Sequence, residues 1–533
     1  MISQLSERRA SMTAVSRRRL TLLAMCISQA MILLDITIVN IALPSIQREL
    51  SMSPSRLEWV VSAYALSLAA LIPFGGTLGD RYGRKRLFLM GMLVFTVGSI
   101  GCALSPADTA LIGARVIQGI GGAVMSALTL SILTETFPPE TRAGAIGTWA
   151  AIAGLGFGAG PVVGGILLGF FGWSSIFWVN VPLALVGLVL TVVAVHESRD
   201  PVPRPLDVPG VITSALGLLA VTFGLIESSS YHWGSWLVVA PLVVGAVLLV
   251  LFALWEHRTP SPMLPPSLLR ARSFTIGCSV YLLVYLALTG VMFYVTLLYQ
   301  NVDGWSALRT GLSWLSMNIP FLVMAQLSGR LHRRFSSTAV VACGCLVGAC
   351  GILGLSLVMT STPFVLAGVG YALLGAGYGT LVPGITNVAM RDVPPGVSGC
   401  ASGILNSARQ VGTSVGLAVL GAVGVNAAVS DWANRTSRFP ASARAAAAGQ
   451  AQHVAGAQIE AVTKALGAAY RAPAVQSFAH GYRLAMIVAA GAVFVAAACT
   501  LLGLGRPSTA SERDDPALRA VAPPAPTGAP APG

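Results

Sequence analysis

The chain has 533 residues, of which 55% are hydrophobic and only 10% charged, with a formal net charge of +13. Soluble domains average about 25% charged residues, so this composition excludes a water-soluble enzyme or binding module and describes a membrane protein. Lys85 and Lys464 are the only lysines, and neither follows a glycine. A nucleotide-binding phosphate loop, which ends in Gly-Lys followed by Ser or Thr, is therefore absent.

Residues 1–19 are basic and polar and read as a cytoplasmic N-terminal tail. The apolar run after them is too long for a signal peptide and has no small-residue cleavage site. Fourteen spans are predicted, near 20–43, 57–78, 87–105, 109–133, 143–169, 175–195, 208–228, 236–256, 273–298, 310–330, 338–359, 363–390, 399–424 and 483–504. Arginine asymmetry sets their orientation. With the N-terminus inside, the cytoplasmic loops receive Arg17 to Arg19, Arg81 to Arg86, Arg258 to Arg272 and Arg330 to Arg334, while the short outer loops receive only Arg48, Arg56 and Arg309. Both termini are then cytoplasmic, and the positive charge is a topology signal rather than a nucleic-acid footprint. Residues 425–482 read as a long Ala-rich outer loop with short helices, and 505–533 as a disordered Pro/Ala-rich tail. The eight cysteines fall in or beside apolar runs. Cys343, Cys345 and Cys350 have no His or carboxylate beside them, so they read as packing residues, and no metal site is predicted.

The chain repeats itself. A shift of 256 residues lays Gly119 and Gly121 on Gly375 and Gly377, and Gly156, Gly160 and Gly165 on Gly412, Gly416 and Gly421. A shift of 253 lays Gly76, Leu78 and Arg81 on Gly329, Leu331 and Arg334. The predicted fold is therefore an all-α polytopic membrane protein of 6 + 2 + 6 helices: a first half at 20–195, two inserted helices at 208–256, and a second half at 273–504. Parallel halves with a site at their midplane interface are a transporter arrangement. The charge is not symmetric, because Tyr371 stands where the shift places Arg115.

The polar residues inside the spans carry the functional reading. Asp35 sits in the first apolar run, "LLDITIVNIALP", with Asn40 five residues on. An ionised Asp at a helix centre costs about 2.5–3.5 kcal/mol on insertion scales. "GTLGDRYGRKR" (76–86) follows span 2. Its glycines Gly76 and Gly83 suit a close approach of two helices at a short turn. Asp80 suits a helix N-terminus or an arginine such as Arg81 or Arg84. Arg115 keeps its charge and so needs a carboxylate or a wet cavity; a purely structural salt bridge is the plainer alternative. Gln118 and Gly119 share its helix face. Gly156, Gly160 and Gly164 recur every fourth residue beside Pro161, which suits tight helix packing and a bend. Glu227 closes the first inserted span and reads as a water-exposed structural acid. Tyr64, Trp149, Tyr285, Phe293, Trp314, Asn318, Asn406 and Arg409, together with Asn40 and Gln118, are candidate cavity linings.

These motifs carry a resemblance. "GTLGDRYGRKR" resembles the loop signature of the major facilitator superfamily, and "RVIQGIGGA" (115–123) its fourth-helix motif. "LDITIVNIALP" resembles the first-helix signature of the fourteen-helix drug:proton antiporters of the EmrB/QacA type, and "GLGFGAGPVVGG" (154–165) resembles their antiporter motif. "WSSIFWVNVP" (173–182) departs from the pattern, lacking the family's usual basic residue near Ser174 or Ser175. The resemblance implies a monomeric proton-coupled exporter of amphipathic drugs or antibiotics in a bacterial cell membrane, with no cofactor and the proton gradient as its energy source. In that reading Asp35 carries the proton, Arg115 is its switchable counter-charge, and Gly76 to Arg84 gate the conformational change. An exporter of another metabolite or lipid, or a non-transporting membrane sensor, stays open as the alternative. No catalytic pair is visible within any span, so an enzyme is not expected.

Overall fold

Backbone N–H and C=O groups find no water in hydrocarbon, so apolar runs of membrane length close their hydrogen bonds within helices. A computed structural model gives the outcome for residues 14–199, 207–228, 230–259, 262, 268, 270–357, 363–393, 398–437 and 439–504, and these contain helices and turns but no strand. The predicted tail 505–533 and residues 1–13 lie outside this set.

The first half comprises α1 (Ala14–Glu49), α2 (Pro54–Tyr82), α3 (Arg84–Ala103), α4 (Asp108–Thr136), α5 (Pro139–Phe171) and α6 (Asn180–Ala194), the last led by a single turn at Ser175–Trp178. The inserted pair is α7 (Val208–Glu227) and α8 (Trp236–Glu256). The second half comprises α9 (Arg272–Leu297, prolonged by a π turn at Leu298–Val302), α10 (Leu315–Arg334, led by a short helix at Ala307–Ser313), α11 (Ser337–Ser356), α12 (Phe364–Met390), α13 (Ser398–Thr436) and α14 (Arg471–Leu504). Among the described residues, 13 helices are long and apolar enough to cross a membrane. The remaining one, α10, has 20 residues but carries Asn318, Gln326 and a basic last turn of His332, Arg333 and Arg334. A count of fourteen is compatible with this set.

The repeat reappears as packing. α1 packs on α5 as α9 packs on α13; α2 and α3 pack on α4 as α10 and α11 pack on α12. The glycines that coincide in sequence meet equivalent neighbours. Gly119 is pressed on Tyr64 and Ser67 of α2, and Gly375 on Met317 of α10. Gly121 and Gly377 each leave no room for a methyl group against α3 and α11. Gly156, Gly160 and Gly164 bring α5 onto Ala30, Thr37 and Ile38 of α1, as Gly412 and Gly416 bring α13 onto Leu282 and Leu286 of α9.

One expectation needs correction. The segment 425–482 is not mainly loop: α13 continues to Thr436, α14 begins at Arg471, and three short helices (Ala441–Ala448, Ala451–Ala455, Ile459–Leu466) fill the interval. Alanine is the best helix former, and the segment has an apolar anchor. Trp432 is 1% exposed and donates its Nε1–H to the Ala447 carbonyl at 2.8 Å.

The halves meet along two seams, α2 on α13 and α5 on the short helix before α10. Most contacts between them gather at the end opposite the basic 76–86 turn. There Gln300 donates to the Ile41 carbonyl at 2.9 Å, Asn301 to Gln47 at 3.0 Å, and Gly165 is pressed on Ala307 and Leu308. Toward the basic end a Cβ added at Gly144 or Gly147 of α5 or at Gly403 of α13 would meet no atom within 4 Å. Among the described residues the inserted pair packs on the α2/α13 seam, through α7, and α8 turns most of its surface outward.

Candidate functional site

Five helices deliver polar groups to one point in the first half. Asp35 (α1) is fully buried and Arg115 (α4) is 1% exposed, and Arg115 Nη1 stands 2.5 Å from Asp35 Oδ2. The same Nη1 donates to Gln118 Oε1 at 2.6 Å, which the i, i+3 spacing on α4 permits. Gln118 Nε2 donates to Asp35 Oδ1 at 2.8 Å and to Ser99 Oγ (α3) at 2.8 Å. Asn180, the first residue of α6, donates to Asp35 Oδ1 at 3.1 Å. Arg115 Nε donates to the Val60 carbonyl of α2 at 2.9 Å, and its guanidinium lies 4.2 Å from the Tyr64 ring centroid. The carboxylate thus receives donors at both oxygens, and the guanidinium is held by a carboxylate, an amide, a carbonyl and an aromatic face.

Arg115 joined to Asp35 is what the sequence reading pairs, whereas Gln118 in that pair, Asn180 and Ser99 are additions. An Asn at the head of an apolar span is a signal that sequence reasoning passed over; a lone Ser is none. Tyr64 and Gln118 belong to this closed cluster and do not line the cavity, because both are wholly buried against Arg115 and Asp35.

The second polar centre lies between the halves. Leu33, Ile36 and Asn40 of α1, Phe157 of α5, Tyr285 and Met292 of α9, and Arg409 and Gln410 of α13 line a narrow internal cavity. Arg409 stands 5.5 Å from the Tyr285 ring centroid, and its Nε has no hydrogen-bond partner. Asn40 donates to the Ile36 carbonyl at 2.9 Å and leaves its Oδ1 unpartnered. Other expected lining residues act in packing. Trp314 is 1% exposed and stands 5.1 Å from Tyr371, and Phe293 lies buried in the second-half core. Asn318 ties α10 to the Gly158 carbonyl of α5 at 2.7 Å, and Asn406 ties α13 to Ser126 of α4 at 3.3 Å. Trp149 is half-buried on α5 among first-half residues. These five side chains are consumed by helix–helix contacts, which is why apolar bulk and isolated amides misled the sequence reading.

The 76–86 turn is an electrostatic latch. Arg84 pairs with Asp80 at 2.8 Å and with Glu135 at 3.4 Å. Asp80 therefore takes the arginine and not a helix N-terminus. The N-terminus of α3 is instead capped by Glu197, which accepts from the backbone of Lys85 at 3.0 Å and Arg86 at 3.2 Å. A carboxylate there is favoured by the helix dipole. Gly83 has φ +107°, a conformation that only glycine adopts freely, and a Cβ on it would press on Glu197. The close approach to α4 is made by Gly75 and Gly79, whereas Gly76 faces open space and Arg81 extends along the Tyr82 ring.

Two pseudo-symmetric bundles that enclose a buried ion pair and share a cavity at their interface define a multi-pass membrane transporter. The profile described as Major Facilitator Superfamily matches residues 25–417, and the chain belongs to that superfamily. It is 35% identical over 405 residues to the multidrug resistance protein Stp of Mycobacterium tuberculosis (strain CDC 1551 / Oshkosh), covering 76% of this chain and 75% of that one. It is 33% identical to the tetracenomycin C resistance and export protein of Streptomyces glaucescens, covering 75% of each chain. It is 34% identical to the methylenomycin A resistance protein of Streptomyces coelicolor (strain ATCC BAA-471 / A3(2) / M145), covering 75% of this chain and 84% of that one. In fold it resembles the crystal structure of a bacterial homolog to the human lysosomal transporter Spinster, with a TM-score of 0.63 at 18% identity over 93% of this chain and 99% of that one.

Proposed function

We propose that this protein exports amphipathic, antibiotic-like compounds across a bacterial cell membrane in exchange for protons, working as a monomer with both termini in the cytoplasm. The observation that carries the reading is the fully buried Asp35–Arg115 pair closed by Gln118 and Asn180. A charge pair in hydrocarbon that brings donors from separate helices to one carboxylate is an expensive device for structure alone. It suits a switch. When Asp35 takes a proton its charge goes from −1 to 0, and Arg115 loses its counter-charge while keeping its other partners. The cluster then has to repack, and it holds α1, α4 and α6 together. The drug-resistance and export names of the relatives support the direction and the substrate class. No cofactor is needed, since 100 mV supplies about 2.3 kcal/mol per charge moved.

The cavity refines the substrate. Its charged lining side chain is Arg409, among aromatic and aliphatic neighbours. A cation in a largely apolar cavity repels cations, so neutral aromatic amphiphiles fit better than cationic ones. The test is Asp35→Asn in proteoliposomes with an imposed pH gradient. The variant is expected to fold, bind substrate and lose accumulation against a gradient; uphill accumulation that survives would overturn the proposal.

A further inference from the structure

The Asp35 cluster does not use the buried acid Glu58. Glu58 lies in the second turn of α2, is 0% exposed, and has no hydrogen-bond partner at either carboxyl oxygen. It sits in the α2/α13 seam at the end opposite the basic turn. Its carboxyl rests on Gly421 of α13 so closely that a methyl group there would collide with it. The titratable groups that face it are Glu227 at the C-terminal end of α7 and the Tyr294 hydroxyl of α9. Tyr294 does not serve it, since that hydroxyl is directed at the Leu420 and Gly421 carbonyls at 3.3 Å each. Arg56, two residues away, pairs with Asp108.

The pseudo-symmetric seam is the control. The 253-residue shift takes Glu58 to Gly311, and the 256-residue shift takes Gly421 to Gly165. Gly311 packs directly on the Pro161 carbonyl and on Gly165. A seam of this fold therefore closes with glycine on glycine, and the carboxyl at Glu58 is not required for closure. An ionised carboxylate with no partner, beside a second acid, is strongly disfavoured in such a place. Once the seam parts and water enters, the ion is solvated and the objection disappears.

We propose that Glu58 is a second proton-binding site of the transport cycle, occupied while the α2/α13 seam is closed and vacated when that seam opens. The carboxylate takes one proton from water on the side to which the seam opens and returns it to the same side at the next opening. Acid on that side thereby drives the seam shut. Glu58 biases the return of the empty carrier without adding to the protons carried across, a role separate from that of Asp35. The inference rests on the exporter reading only in taking the two halves to alternate.

Hydrogen–deuterium exchange of the purified full-length protein reads the seam directly, in residues 54–62 of α2 and 414–425 of α13. After correction for intrinsic rates, wild-type protection is expected to fall as pH rises from 5 to 8, by up to about tenfold per pH unit for one linked proton. Glu58→Gln is expected to stay protected at every pH. Asp35→Asn should keep the wild-type slope, so failure of the Asp35 proposal and failure of this one give different results. A Glu58→Gln protein with the wild-type slope would overturn the inference. If that variant does not fold, wild-type segments whose protection ignores pH overturn it without any substitution, and wild-type segments with the slope support it.

Discussion

Arg115 uses a single nitrogen, Nη1, for both Asp35 and Gln118, and turns Nε to the Val60 carbonyl. A lysine ammonium is a compact charge on a flexible stem and cannot span those partners at once. Arg115→Lys is therefore expected to conserve net charge and folding but reduce proton-coupled export at least tenfold, read as initial efflux rate at equal protein in the membrane. A variant with wild-type rate would show that charge alone suffices. Asp35 and Arg115 were legible as a pair because each is polar within an apolar run, where polarity is costly, whereas Gln118 stood out for the same reason but was assigned to the cavity. Glu58 was hidden for the opposite reason. It follows Ser53, Pro54, Ser55 and Arg56, a setting that reads as a wet helix start, and only the fold shows α7, α9 and α13 closing over it.

At the scale of elements, close helix pairs depend on which glycines are covered. Gly156 faces the Ala30 backbone, with a would-be Cβ 2.8 Å from its carbonyl oxygen and 2.9 Å from its Cα, whereas Gly144 on the same helix meets nothing within 4 Å. Backbone cannot swing aside as a side chain does. Gly156→Ala is expected to cost about 1–3 kcal/mol by overpacking. Gly144→Ala is expected to be neutral or slightly stabilising, since alanine loses less backbone entropy in a helix. Thermal unfolding in one detergent compares the two, and equal melting temperatures would refute the assignment of α5's packed face. The four-residue glycine spacing was legible as tight packing. Its partner was not, because spacing on one helix does not say which other helix approaches. The ends of α13 and α14 were missed because polar, Ala-rich extensions beyond the hydrocarbon carry no hydropathy signal.

The whole molecule has a proton-dependent stability of its own at the end opposite the basic turn. Asp303, just past the π turn, has its carboxyl pushed up from 3.8 to about 6 by burial, which the nearby Arg309 only partly opposes. The folded state then binds the proton more tightly than the unfolded chain does, so this acid's contribution is fully present below about pH 4 and is lost as pH rises to about 6. Solvent screening at this half-buried site keeps the loss well below the ~3 kcal/mol that two fully expressed pKa units would give. Asp303→Asn is expected to flatten the dependence of melting temperature on pH between 4 and 6; an unchanged profile would exclude that role. The halves, the insertion and the repeat were all legible at this scale, because internal repetition survives in glycine positions. Which end is shut was not, since both arrangements use the same sequence. The inserted helices carry a consequence for how a lipid-soluble compound gets in. α7, backed by α8, walls off the α2/α13 side, while among the described residues no such helix pair covers the α5/α10 side. In the export reading, a molecule diffusing within the bilayer would meet one shielded flank and one bare one, and lateral exchange between lipid and cleft is expected on the bare side.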